Sequence, residues 1–294
     1  MDNNRRFPLI LSGFWLKVIA LLTMTIDHIG YLLPMSTFSL VLRYIGRLAL
    51  PLFCFMIAEG AIYTKSFKKY ALRLGIMASI ISIGIMGSEF IPFFKDSGFS
   101  MRNEGIIFVD LLLGALAIYL LRQNKWYFKV LAILPVGFGI ASFTATALES
   151  CGCYGEIWWL PFFMRTQYGW YGIAMIVSFY AVHLLKDLFI KYHSSLTGIE
   201  VSLYKGSNLE RNVLNIFSVI SLVICTVALY ICGSIMPPQF MYWDLYMQLV
   251  AMAAGAFILL YNGLRGYNKK WFQYGSYLYY PLHMAILYLI FSLI

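Results

Sequence analysis

Long apolar runs separated by short polar segments recur along the whole chain. Nine of them are long enough to cross a bilayer as helices of about 20 residues. They lie at 14–35, 40–63, 70–90, 105–121, 127–148, 168–187, 212–233, 244–263 and 274–293. A shorter segment, 155–164, carries Trp158 and Trp159 and is typical of an interfacial or re-entrant piece. Because the runs are continuous and do not alternate, helices are favoured over a β-barrel.

Composition supports a membrane protein. Hydrophobic residues make up 61% of the 294 residues, and charged residues only 12%. A soluble fold of this length could not bury so much apolar surface, because a single core stops growing near this size. With no internal repeat or linker, we predict one all-α transmembrane domain over residues 1–294. It would be a polytopic protein of nine transmembrane helices, or ten if 155–164 enters the membrane.

The Lys and Arg residues of the loops fall mainly on one side of the predicted bundle. With a cytoplasmic N-terminus, fifteen lie on cytoplasmic segments and three on outer loops, namely Lys95, Arg102 and Arg165. This asymmetry follows the positive-inside rule and predicts an outer C-terminus. It also accounts for the formal charge of +9 without nucleic-acid binding. The five cysteines form no ligand-spaced cluster, so we expect no metal.

A small set of ionisable residues lies inside the predicted spans, where each is costly unless it faces a partner or a wet cavity. Glu59 and Arg73 lie near cytoplasmic helix ends and could instead snorkel to the interface. Asp110, near the outer end of its span, could simply cap a helix or form a pair. His183 and His193 lie at or beyond a helix end and receive no assignment. The full set is Lys17, Asp27, His28, Arg43, Arg47, Glu59, Arg73, Asp110 and His283.

The first span carries the most informative spacing, with Lys17 and His28 eleven residues apart. Eleven residues at 100° each end about 20° past three full turns, so both side chains share one helix face, about 16 Å apart. Lys17 would then lie near the cytoplasmic mouth and His28 beyond the midplane. We expect Asp27 to pair with Arg43 or Arg47, which share a face of the second span. That pairing leaves His28 able to act as an uncharged base.

In the ninth span, His283 follows Tyr280 and Pro281 at roughly mid-membrane. Pro281 frees a backbone carbonyl and can kink the helix. Two roles stay open for His283, which could line a site or pack in the core. We take His283, Glu59 and Tyr280 as candidate substrate-binding residues.

Three stretches of the sequence resemble the TraX family, named for the conjugative-pilin acetylation protein. They are LKVIALLTMTIDHIGYLL, LRYIGRLALPLFCFMIAEGAIYTKSFKKYALRL and the closing YLYYPLHMAILYLI. The family is similar to a wider set of transmembrane acyltransferases, including the acyltransferase-3 proteins and the lysosomal heparan-glucosaminide acetyltransferase. Their shared mark is a polar residue, ten positions and then a catalytic histidine. Lys17 and His28 match that mark.

The resemblance implies that the acyl donor is a cytoplasmic acyl-CoA, usually acetyl-CoA. Phosphates of the donor would bind at the cytoplasmic mouth. The residues expected there are Lys17, Lys68, Lys69 and Arg73. Acyltransferase-3 proteins often carry an Arg-x-x-Arg pair near the third span, whereas this chain has Lys69 and Arg73, spaced by four.

The resemblance also implies that the acceptor is a hydroxyl or an amine, reached from the membrane or the outer side. His28 would act as general base in a catalytic group with Asp27, Arg43 and Arg47. An arginine could stabilise the oxyanion or orient Asp27. Direct transfer and a covalent acyl-His28 intermediate both stay open.

The sequence therefore predicts an acyl-CoA-dependent O- or N-acyltransferase, most simply an acetyltransferase, in the bacterial plasma membrane. Its expected partners are acyl-CoA, membrane lipid and an acceptor peptide, glycan or small molecule, with an oligomer left open. The main alternative is a transporter or flippase that uses the same buried charged residues. The third hypothesis is a non-catalytic assembly or immunity factor with a structural polar core.

Overall fold

The computed structural model describes residues 9–88, 90, 105–237, 240 and 244–292. These residues are mainly helical and contain no β-strand beyond one isolated bridge between Leu11 and Tyr261. The helices are α1 (Gly13–Leu32), α2 (Thr37–Gly46), α3 (Ala49–Tyr63), α4 (Phe67–Ser88), α5 (Ile107–Leu121), α6 (Trp126–Leu131), α7 (Ile133–Ser150), α8 (Gly169–Thr197), α9 (Val201–Tyr204), α10 (Asn208–Ile235), α11 (Leu245–Leu249), α12 (Gly255–Leu259) and α13 (Lys270–Ser292). Short 3₁₀ helices lie at Phe162–Met164 and Val250–Ala254.

Six stretches of the described residues are helical, long and apolar enough to cross a membrane. They are Gly13–Leu32, Thr37–Tyr63, Phe67–Gly87, Trp126–Ser150, Phe162–Thr197 and Asn208–Ile235. Two further predicted spans coincide with shorter apolar helices, Ile107–Leu121 and Leu245–Leu259, and the last coincides with α13. The predicted all-α, multi-pass membrane protein is therefore confirmed.

The segments predicted to lie outside the membrane are only partly included in the described residues. Residues 155–164 form turns that end in the 3₁₀ helix, and Trp158 and Trp159 are exposed. Of the three cations predicted on outer loops, Lys95 and Arg102 lie outside the described residues.

The eighth predicted span is interrupted by the 3₁₀ helix Val250–Ala254. Two others are divided at a turn where the sequence predicted a continuous helix. The second divides into α2 and α3 at Arg47, and the fifth divides into α6 and α7 at Ala132. A proline follows each break, at Pro51 and Pro135. Proline has no N–H and cannot donate to the carbonyl four residues earlier, so the helix restarts with the proline in its first turn. The first break leaves Arg47 beside α1.

Helices α1 and α2 pack closely as an antiparallel pair because glycines face the neighbouring helix. A Cβ on Gly30 would lie 2.8 Å from Cβ of Leu42 and from the carbonyl oxygen of Ser39. A Cβ on Gly46 would overlap the side chain of Asp27. Only glycine allows this approach, which brings Asp27 against the end of α2.

Helix α13 runs parallel to α1 and lies beside it. Four backbone hydrogen bonds of 2.8–3.0 Å link residues 11–14, at the beginning of α1, to residues 260–265, which precede α13. Further along, side chains meet in three pairs, Lys17 with Phe272, Thr25 with Tyr279 and His28 with His283. The same eleven-residue interval separates the first and last pair on both helices, so the helices stay in register.

The main hydrophobic core lies between α3, α4, α5 and α8. Phe55, Leu74, Ile118 and Phe179 are among its fully buried side chains. Tyr280 of α13 packs against the edge of this core. The space between the core and the α1–α13 pair holds the site described next.

Candidate functional site

Asp27 lies between two arginines near the break between α2 and α3. Its Oδ1 is 3.3 Å from Nε of Arg43 and accepts a shorter hydrogen bond from Nη2 of Arg47. Arg47 is only 8% exposed, and its Nε donates to the carbonyl of Arg43. Arg43 is half-buried over the ring of Tyr31. The predicted pairing of Asp27 with Arg43 or Arg47 is therefore confirmed for both arginines.

His28 and His283 meet at the interface of α1 and α13. Nε2 of His283 lies 3.0 Å from Nδ1 of His28, and Nδ1 of His283 lies 2.9 Å from the carbonyl oxygen of Tyr279. Both histidines are buried, at 7% and 5% exposure. The ring of Tyr279 stacks on His283, and its hydroxyl lies 2.6 Å from Oγ1 of Thr25. The His28 ring is therefore held from α13.

A small cavity opens beside this pair. It is lined by Met24, Asp27, His28, Gly46, Ala49, Leu50, Phe53, Ile107, Gln167, Tyr168 and Tyr280. Three candidate site residues, Asp27, His28 and Tyr280, are thus brought together around one space. His283 is not among the lining residues, because it lies against His28 at the helix interface. Arg43 and Arg47 do not line this space but contact Asp27, which does.

The backbone of Gln167 and Tyr168 is held in the cavity wall by Asp110. Asp110 is fully buried, and its carboxylate accepts hydrogen bonds from Gln167 N at 2.7 Å and Tyr168 N at 3.2 Å. These N–H groups precede the first turn of α8, where a helix favours a negative charge. Asp110 therefore caps a helix, which is one of the two roles that the sequence left open. The sequence did not identify Gln167 and Tyr168, because no local pattern marks a contact 57 or 58 residues away.

A buried ion pair fixes the segment that leads into Gln167. Arg165 donates to both carboxylate oxygens of Glu149, at 2.6 and 2.7 Å. Glu149 also accepts from the backbone N–H of Ile157 at 2.6 Å. The next residue, Thr166, donates its N–H to Oγ of Ser142 at 2.8 Å. This wall of the cavity is therefore well anchored.

A second small cavity adjoins the first. The two share the lining residues Met24, Phe53, Ile107 and Tyr280. The rest of the second cavity is lined by Leu21, Phe108, Leu111 and Ser276. Leu21 lies four residues after Lys17, which is about one helical turn. The mainly apolar space therefore extends along α1 from His28 towards Lys17.

Lys17 and Arg73 form a positively charged group near the beginning of α1 and α4. Nζ of Lys17 lies 5.8 Å from the centre of the Phe272 ring, and Arg73 is close enough to repel it. Nε of Arg73 is buried and makes no hydrogen bond. Within the described ranges, neither side chain has a carboxylate within 4.0 Å. Lys68 and Lys69 precede Arg73 on α4, and both are exposed. Such a group favours an anion.

Glu59 belongs to a separate buried cluster. Its Oε1 lies 2.9 Å from Nε2 of His183, and its Oε2 lies 3.6 Å from Nη1 of Arg211. The guanidinium of Arg211 lies 5.2 Å from the centre of the Tyr261 ring. Glu59 therefore does not snorkel, and it lines neither cavity. Its substrate-binding role stays a prediction. The sequence missed His183, whose one signal was its position at the end of an apolar run.

The described residues contain no group of three His, Cys, Asp or Glu side chains that could hold a metal ion. The residues suited to a charged cofactor are those near Lys17. The cavity beside His28 instead presents hydrogen-bond acceptors. Both arginines bind Oδ1 of Asp27, and Oδ2 has no hydrogen-bond partner among the described residues.

A family model and two curated proteins resemble part of this chain. The family model for TraX protein matches residues 12–203. The chain is 34% identical over 115 residues to the probable fimbrial assembly protein FimC, serogroup H1, of Dichelobacter nodosus, covering 35% of this chain and 47% of that protein. It is 34% identical over 158 residues to an uncharacterised protein of Rickettsia prowazekii (strain Madrid E), covering 46% and 58%.

The chain spans about half the length of these curated relatives. No solved structure matches it. The matched range of the family model contains Lys17, Asp27, His28 and both arginines, whereas His283 lies beyond it. Since the model covers more than half of the sequence, the chain belongs to the TraX family.

Proposed function

We propose that this protein is a membrane-embedded acyltransferase of the bacterial plasma membrane. It would move an acyl group, most simply acetyl, from cytoplasmic acyl-CoA to a hydroxyl or amine of an acceptor. The acceptor would arrive from the membrane or the outer side. One observation carries the proposal, namely two adjoining cavities that extend along α1 from the buried His28 as far as Leu21, about one helical turn from Lys17.

The end near Lys17 suits the phosphates of an acyl-CoA. Lys17 and Arg73 lack carboxylate partners in the described part of the chain, and Lys68 and Lys69 add positive charge on α4. A cationic group of this kind attracts a polyanion. The rise from Lys17 to His28 is about 16 Å. That rise is close to the extended pantetheine arm, which is on the order of 15 Å from standard bond lengths.

The end near His28 suits the transfer itself. A neutral His28 would accept the proton of the acceptor as its oxygen or nitrogen bonds to the thioester carbonyl carbon. Collapse of the tetrahedral intermediate then breaks the carbon–sulfur bond, and the proton passes from His28 to the leaving thiolate. Asp27 would stabilise the protonated ring with its negative charge. In this arrangement Arg43 and Arg47 orient Asp27.

The polar atoms that line the cavity indicate which class of acyl acceptor would bind there. Oδ2 of Asp27 has no partner among the described residues, and it lies in the same cavity wall as His28. Two neighbouring hydrogen-bond acceptors favour a bound group with more than one hydrogen to donate, such as an amine. The name of the FimC relative, a fimbrial assembly protein, favours a peptide among the three acceptor classes.

The spacing of Lys17 and His28 supports a wider relationship. A polar residue, ten positions and a histidine is the mark shared by the acyltransferase-3 proteins and the heparan-glucosaminide acetyltransferase. We propose that the chain belongs to that superfamily. The transporter or flippase alternative rests on the same buried charges. The non-catalytic alternative takes its support from the fimbrial assembly name of the relative.

Acetyl-CoA turnover by the detergent-purified protein tests the proposal. We expect slow hydrolysis by the wild type, because water can replace the acceptor, and a loss of at least about 10²-fold in His28→Gln. His193→Gln is the matched control, since His193 lies outside the cavities, bonded to Tyr204. If the wild type neither binds nor hydrolyses any acyl-CoA, the enzyme proposal fails. Full biological activity of His28→Gln would instead support the non-catalytic alternative.

A further inference from the structure

We propose that His283 is a positioning residue that holds His28 in the tautomer with its hydrogen on Nδ1 and a free lone pair on Nε2. The tautomer follows from hydrogen-bond geometry alone. Its use in acyl transfer rests on the proposed function.

The assignment begins at the backbone of α13. A carbonyl oxygen can only accept a hydrogen bond, so Nδ1 of His283, at 2.9 Å from the carbonyl of Tyr279, must carry a hydrogen. A neutral imidazole has one N–H, which leaves Nε2 of His283 as an acceptor. Nδ1 of His28, at 3.0 Å from that atom, is therefore the donor.

The same reasoning leaves Nε2 of His28 without a hydrogen. None of the described residues forms a hydrogen bond to this atom, and His28 borders the first cavity. A lone pair directed to bound substrate is what a general base requires. The opposite tautomer would present an N–H and could not accept a proton there. In a catalytic triad, a third residue orients the histidine base through a hydrogen bond to its ring. His283 has this role for His28, but as a neutral ring instead of a carboxylate.

The surroundings of His283 keep its own orientation fixed. The Tyr279 ring stacks on it, with ring centres 5.1 Å apart and planes 6° apart. Tyr280 packs edge-on against both histidine rings. Because the hydroxyl of Tyr279 also contacts Thr25, the residue whose carbonyl accepts the hydrogen bond from His283 is tied to α1 as well as to α13. A rotation of His283 would have to disturb these contacts.

Nitrogen-15 NMR of the histidine-labelled protein tests the tautomer directly, because the chain has only four histidines. We expect both His28 and His283 of the wild type to carry hydrogen on Nδ1. In His283→Phe, which removes the acceptor but keeps a ring, His28 should gain the Nε2–H form. His283→Gln should restore the Nδ1–H form, since its amide oxygen can replace Nε2 as acceptor. A wild-type His28 with hydrogen on Nε2, or an unchanged His28 in His283→Phe, would overturn the inference.

Turnover of acetyl-CoA by the same variants separates the inference from the proposed function. We expect His283→Phe to lower kcat by about 10- to 100-fold with little change in KM, and His283→Gln to recover most of it. The predicted tautomer in a wild type without turnover would refute the acyltransferase proposal and leave the inference standing. Normal turnover with hydrogen on Nε2 of His28 would refute the tautomer inference and leave the acyltransferase proposal standing. The wild-type spectrum decides the tautomer even if His283→Phe fails to fold.

Discussion

Asp27 and His28 are adjacent in sequence but are held by different helices. Successive helical positions point about 100° apart, so Asp27 can face α2 while His28 faces α13. Both arginines form ion pairs with Oδ1 of Asp27, and His283 forms a hydrogen bond with Nδ1 of His28. Each residue therefore keeps one polar atom for the cavity that both of them line.

The two arginines should contribute unequally to stability. Arg47 is buried at 8% exposure, whereas Arg43 is only partly buried. Removing one partner of a buried ion pair costs about 3–5 kcal/mol, and an exposed pair costs much less. Thermal unfolding in detergent should show a clearly larger loss for Arg47→Ala than for Arg43→Ala. Equal losses would mean that Asp27 does not depend on the buried contact.

At the scale of elements, the α1–α2 contact positions the site. Gly46→Ala should force Asp27 out of place and lower the stability of the protein by about 1–3 kcal/mol, the usual cost of overpacking. Acetyl-CoA turnover should fall with it. Gly137→Ala is the matched control, because a Cβ on Gly137 would meet no atom within 4 Å. Thermal unfolding and turnover should both be near wild type for that control. Similar effects of the two substitutions would argue against a close α1–α2 contact.

Some contacts between elements could be predicted from the sequence and others could not. The Asp27–arginine pairing was predictable, because consecutive spans joined by a short loop usually pack together. The second span was predicted as one continuous helix, and the break at Arg47 was missed although Pro51 was a local signal for it. The His28–His283 contact joins residues 255 positions apart. Nothing in the pattern of a single sequence says which distant spans are neighbours, so His283 could only be left with two roles.

At the scale of the molecule, the α1–α13 pair connects the region around Lys17 with the region around His28. Residues 11–14, at the beginning of α1, bond to residues 260–265, which precede α13, and the two helices run in register to the histidines. The apolar periodicity predicted both helices and the shared face of Lys17 and His28. It did not predict the second buried cluster around Glu59, because His183 and Arg211 come from other helices.

The orientation in the membrane can be tested with single-cysteine variants. Cys153 is exposed in the segment predicted to lie outside, and Lys191 is exposed on α8 at the end predicted to be cytoplasmic. In intact cells, a membrane-impermeant maleimide should label a variant that keeps Cys153 alone. It should label Lys191→Cys only after permeabilisation. The reverse pattern would invert the predicted topology and move the Lys17 end of the site away from cytoplasmic acyl-CoA.

The affinity of the purified protein for acetyl-CoA, measured together with its turnover, tests most directly whether the α1–α13 pair binds an acyl donor. If Lys17 and His28 lie at the two ends of one donor path, Lys17→Ala should weaken binding by at least about tenfold, as expected for loss of one charge-assisted contact. His28→Ala should bind as the wild type does but no longer turn over, and Lys191→Ala should change neither quantity. A wild type without affinity for acetyl-CoA, or unchanged binding in Lys17→Ala, would contradict the account.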